Sequence, residues 1–276
     1  MSPSSQMREW PAPVLIGVAA TSASGLIFEI ALTRVFAVTQ FYHFAFLTVS
    51  MALLGFGASG SALTVFPRIG AGGPRRWAWL AGLQGLVTLL AYLASNALPF
   101  DSFAISWDRT QLWYLAAYYL VLAVPFFFGG LIIAVLLSGA GEPGAPPSHL
   151  VYGASLAGSG LGCLIAVVSL DQLGGEGTVA LAAAVAMSGA VAFSTPLRRR
   201  RMVVAMMVVT GALVVVAVAA PGWMGLKLSP YKGLEHALRF PGATVTGTDW
   251  HRGTRIDLVT SDGIRSLPGL SLAYAG

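Results

Sequence analysis

Apolar residues gather into seven long runs separated by short polar or glycine-rich breaks: roughly Pro13–Val38, Phe41–Phe66, Trp77–Leu98, Leu112–Leu137, Leu150–Leu170, Thr178–Phe193 and Met202–Ala220. A hydrocarbon core about 30 Å thick is crossed by about 20 helical residues rising about 1.5 Å each. The runs meet that length or approach it, the sixth being the shortest. Helix is the expected form, because a bilayer offers no partner to an unpaired backbone group and the runs lack the alternation of barrel strands. The predicted fold class is an all-α polytopic membrane helix bundle of about seven transmembrane helices over residues 1–222. A short soluble tail follows over residues 223–276. Its segments Ala243–Thr248 and Arg255–Thr260 alternate with β-branched residues around Asp249-Trp250-His251-Arg252-Gly253, the pattern of a β-hairpin with that stretch as its turn. The tail is marginal for a core of its own and reads as the opening of a larger domain.

Composition agrees with the pattern. Hydrophobic residues make up 56% of the 276 and charged residues 10%, where a soluble domain carries about 25% charged. Mean hydropathy is +0.75. Lipid is therefore the expected partner for most of the surface. The net charge of +5 does not indicate nucleic acid, because its arginines cluster between apolar runs: Arg68, Arg75 and Arg76 in one break, Arg198 to Arg201 in another. Such clusters read as cytoplasmic loop anchors. With seven spans both basic breaks fall on one side, with Arg8 and the N-terminus. The breaks holding Asp101, Asp108, Asp171 and Glu176 fall on the other, and the tail with them. The expected location is the cell (inner) membrane, multi-pass, with the Arg-rich loops cytoplasmic. An uncleaved first helix is expected rather than a signal peptide cut near Ser22-Ala23-Ser24, since the apolar pattern continues through Ile30 and six more runs follow.

Few residues carry chemistry. Glu29 lies inside the first apolar run and Arg34 near its end; a carboxylate in hydrocarbon faces a partner or a polar cavity. Five residues apart, the two are about 140° apart around a helix and do not share a face. Glu29 is expected to pair with an arginine or amide of a neighbouring helix, or to serve as a proton or cation site. Arg34 is expected to reach the interface. His43, beside Phe41 and Tyr42, reads as an amphipathic end residue. The string Gly153 to Gly162 partly imitates a dinucleotide fingerprint but lies within a span, so close helix packing is its expected role. The single cysteine, Cys163, excludes an intrachain disulfide and reads as a packing residue. No metal-ligand spacing or complete active site is legible.

Several of these residues together resemble the membrane-fused spermidine synthase-like (polyamine aminopropyltransferase-like) family. Ser24-Gly25, Phe28-Glu29 and Thr33-Arg34 resemble its first-helix signature, and Gly55 to Gly60 and Tyr152 to Gly162 its small-residue helices. Ser229-Pro230-Tyr231-Lys232 resembles the entry to the transferase domain, and Asp262-Gly263-Ile264-Arg265 the hairpin step that follows. The resemblance implies a membrane bundle preceding a β-hairpin subdomain and a Rossmann-like domain. Such a domain moves an aminopropyl group from decarboxylated S-adenosylmethionine to a diamine, with Tyr231, Lys232 and Asp262 near the substrates. Lys232 and Arg265 stand where that pattern has glutamines, a change that repels a cationic sulfonium. No nucleotide loop or catalytic aspartate occurs before Gly276, so aminopropyl transfer by these residues alone is not expected. A small-amine or cation transporter built on Glu29, and a membrane scaffold, are the alternative functions. A polyamine and further copies of the chain are the partners to consider.

Overall fold

The computed structural model describes residues 12–40, 42–70, 73–139, 146–197, 199–229, 232–251 and 254–263. Among them seven α-helices run Ala12–Thr39 (α1), Leu47–Val65 (α2), Gly73–Ala97 (α3), Thr110–Leu137 (α4), Ser148–Ser194 (α5), Arg200–Ala219 (α6) and Gly233–Leu238 (α7). Two antiparallel strands follow, Thr244–His251 (β1) and Thr254–Thr260 (β2). The first six helices are long and apolar enough to cross a membrane. Their outer faces carry large apolar side chains, such as Leu164 at 67% and Val218 at 69% exposed. A water-facing surface rarely holds so many side by side.

The fifth and sixth predicted helices are joined without a loop. Two helical arms meet directly at Gly174, the one residue between them with non-helical dihedrals, φ 69° and ψ −176°. That backbone region is open to glycine and essentially closed to other residues. The chain reverses there. Along the first arm of α5, Gly158 lies against Ala19 and Gly162 against Ala23, so this arm runs parallel to α1. Along the second arm, Gly175 meets Val35, Gly189 meets Gly17, and the Ala182 carbonyl accepts from Ser24 Oγ at 2.8 Å. The second arm therefore runs antiparallel to α1. Loop formers such as Gly175 and Gly177, with Asp171 and Glu176, suggested a connection of several residues; one positive-φ glycine makes it unnecessary.

Helix α1 is the axis of the bundle. Its run of small residues from Gly17 to Gly25 lets neighbouring backbones close in, and Ile27, Ala31 and Leu32 are fully buried. Polar side chains lock the approach: Ser22 Oγ meets Ser155 Oγ at 2.9 Å, and Gln84 Nε2 donates to the Thr21 carbonyl at 3.2 Å. Two apolar clusters divide the interior along its length. One holds Val14, Trp77, Ile132 and Phe193; the other holds Phe28, Phe36, Tyr92 and Phe126. Phe28 and Phe126 have centroids 5.4 Å apart, Trp77 and Phe193 6.1 Å.

The bundle has a basic end and a tail end. Arg75 opens α3, while Tyr92 near its close donates to the Met224 carbonyl at 2.7 Å. At about 1.5 Å per residue those points are about 26 Å apart, close to the hydrocarbon thickness. The packed interior continues past residue 222, because Met224 is fully buried in the second cluster and Leu226 packs on it. The second predicted run starts later than its pattern, at Leu47, after a 3-10 turn over Tyr42–Phe46. The hairpin also differs from its prediction. Asp249, Trp250 and His251 belong to β1, paired with Ile256, Arg255 and Thr254, and are not turn residues. Strand alternation thereby aims Trp250 at the bundle, an anchor that a turn would not provide.

Candidate functional site

A cleft of about 750 Å³ lies between the end of α1, α7 and the hairpin. Its floor is set by two contacts that fold the tail back onto α1. The Ser229 amide donates to the Thr39 carbonyl at 3.1 Å, and Lys232 Nζ donates to the Ala37 carbonyl at 3.1 Å. Both carbonyls belong to the last turn of α1, where helical acceptors lack internal partners and a cation is favoured.

The hairpin closes the opposite wall. Trp250 stands over the reversal of α5, so close that a Cβ on Gly174 would lie 2.8 Å from its Cδ1 and one on Gly175 3.0 Å from its Cη2. Its cross-strand partner Arg255 sits with its guanidinium 5.8 Å from the Trp250 ring. Arg255 is held to Asp257 Oδ1 by Nε at 2.9 Å and Nη2 at 2.8 Å, and reaches Glu176 Oε1 at 3.9 Å. Thr248 Oγ1 also donates to Asp257 Oδ1, at 2.7 Å. With Arg255 and Asp257 side chains 15% and 12% exposed, the pair is only weakly screened. This network ties the hairpin to the reversal of α5.

The charged part of the lining is mostly basic: Arg34, Lys232 and Arg255, with His236 and His251 among them, against Asp257 as the one carboxylate. Burial pushes the Lys232 amine below its ordinary 10.5. Below that lowered value the amine is charged whether the tail is docked or free, and docking carries the full desolvation penalty. Between it and 10.5 the docked amine is neutral while the free one still binds a proton, so docking tightens as pH rises across that window. The expected result is rising anisotropy of a dye at Thr246→Cys (in Cys163→Ser) up to about pH 10.5, and a flat response in Lys232→Met. An opposite slope would contradict the assignment.

Of the residues singled out by sequence, Arg34 and Lys232 come together in this cleft, although 198 positions separate them in the chain. Asp262 lies in an exposed turn beyond β2 and does not line the cleft. Tyr231 falls outside the described residues, as does the side chain of His43, which belongs to the turn before α2. Glu29 is half-buried on α1, its carbonyl accepting from Thr33 at 2.9 Å. Among the described residues its carboxylate has no arginine or amide partner, against the first of its two expected roles. It lines neither this cleft nor the groove described below. Sequence reasoning missed Gly174, Glu176, Trp250, Arg255 and Asp257 as a unit. The same-face spacing of Arg255 and Asp257 within an alternating strand was the available signal.

Comparison with protein-family models, curated proteins and solved structures gives no match.

Proposed function

We propose that the chain is the membrane portion of a spermidine synthase-like protein, and that its bundle crosses the bilayer seven times with the basic end cytoplasmic. In this reading the bundle holds the start of a transferase domain rigidly at its tail end. The observation that carries it is the contact of Ser229 and Lys232, the two ends of the entry motif, with the last turn of α1, followed by a hairpin anchored through Trp250 and Arg255. This order of elements is what the resemblance implies. The basic cleft lining disfavours a polyamine or a sulfonium there, so these residues anchor and position; they do not bind the amine.

The test combines a structural and a chemical readout on the full 276-residue chain. Hydrogen exchange over residues 244–260 is expected to be slow. In Trp250→Ala it accelerates about thirtyfold, corresponding to about 2 kcal/mol of lost docking for a half-buried tryptophan. Added spermidine leaves the cleft's exchange unchanged, and no aminopropyl transfer from decarboxylated S-adenosylmethionine to putrescine is detected. Protection of the cleft by spermidine, or measurable turnover, would sink the anchoring role.

A further inference from the structure

At the basic end a groove of about 830 Å³ opens between α3, the second arm of α5 and α6. Four guanidiniums, Arg75, Arg199, Arg200 and Arg201, stand at its mouth. All four residues are exposed, and among the described residues none has a carboxylate within ion-pair distance. Arg75 lies in the first turn of α3 and Arg200 and Arg201 in that of α6; neither turn holds an acidic residue. Two positive helix ends thus add to four fixed charges. Beyond the mouth the walls are apolar, formed by Trp79, Leu86, Met206 and Val209.

We infer that this groove binds one anionic phospholipid, its phosphate among the four arginines and an acyl chain along the apolar walls. The dimensions favour a lipid over a free phosphate. From Arg75 to Leu86 the groove runs about 16 Å and from Arg201 to Val209 about 12 Å, at about 1.5 Å per residue. Half of a hydrocarbon core about 30 Å thick is about 15 Å, the depth of one leaflet. Free phosphate would satisfy the mouth and leave the apolar wall uncovered. Guanidinium forks match phosphate oxygens in pairs, and basic pockets between transmembrane helices suit such headgroups. The inference rests on membrane insertion and is independent of the spermidine synthase-like reading.

The experiment is native mass spectrometry of the purified full chain, titrated with phosphatidylglycerol, phosphatidylcholine or inorganic phosphate. One phosphatidylglycerol is expected to bind at least tenfold more tightly than phosphatidylcholine, and millimolar inorganic phosphate does not displace it. Arg75→Gln weakens phosphatidylglycerol about fivefold, the loss of one near-surface guanidinium. Ala205→Phe blocks the groove from an exposed position, keeps every arginine, and weakens binding at least tenfold. Equal affinity for the two lipids, displacement by inorganic phosphate, or undiminished binding in folded Ala205→Phe would each overturn the inference.

Discussion

Gly158→Leu is expected to abolish the folded bundle, while Gly160→Leu two residues away leaves it intact. A side chain at Gly158 would start inside the backbone of Ala19 on α1, its first carbon 2.5 Å from the Ala19 Cα. The obstacle is main chain on a fully packed central helix, so neither partner can yield by changing a rotamer. Relief requires α1 and the first arm of α5 to separate, which breaks the Ser22–Ser155 contact and the similar approach of Gly162 to Ala23. Overpacking of this kind costs about 3 kcal/mol or more, a large part of the stability of most folds. Gly160 has nothing within 4 Å of its potential Cβ, and leucine there gains helix propensity while facing outward. Monodisperse yield in size exclusion is the measurement. Equal yields for the two variants would show that the α1–α5 approach is not as close as described.

Gly174→Ala is the second large effect, and it acts through the backbone. At φ 69° and ψ −176° an alanine is strained whatever space surrounds it, and here its methyl would also press on the Trp250 ring. Together these cost about 3 kcal/mol, a fall in Tm on the order of 6 to 12 °C for a chain of this size. The two contributions separate in a double-mutant cycle. In a Trp250→Ala background the methyl finds room, so Gly174→Ala costs less there, while the dihedral part remains. The same substitution is expected to speed hydrogen exchange in the hairpin, because the reversal of α5 is the surface on which Trp250 stands. An unchanged Tm would mean that the reversal does not depend on the left-handed glycine.

How much was legible in the sequence differs by element. The first four helices and α6 were readable because runs this long and apolar match the length and hydropathy of a membrane-crossing helix, and breaks such as Gly70 to Pro74 mark their ends. The reversal within α5 was visible only as a break. Composition around Asp171 to Gly177 cannot distinguish a loop from two helices meeting at one residue, because that depends on the dihedral angles of Gly174 alone. The hairpin's strands were legible by alternation, its turn was not. Asp249 to His251 have turn-like composition but are held in β1 by pairing with Arg255 and its neighbours.

The site was less legible than the fold. Arg34 and Lys232 stood out individually, one as a charge in an apolar run and the other as a departure from a resembling motif, yet nothing in the chain between them indicated contact. The Arg255–Asp257–Glu176 network spans a strand and a helix reversal, and such partners carry no mutual signature in a single sequence.

By itself, then, the sequence determined that most of this chain is helix long and apolar enough to cross a membrane, that its arginines gather at a few breaks, and that a short alternating segment follows. These properties depend on local composition and period. Tertiary structure alone decided that α5 folds back along both sides of α1, that the tail docks on the last turn of α1, and that four arginines from two helix starts share one groove. Each of those depends on backbone approaches of a few ångströms between residues distant in the chain, a scale that hydropathy does not encode.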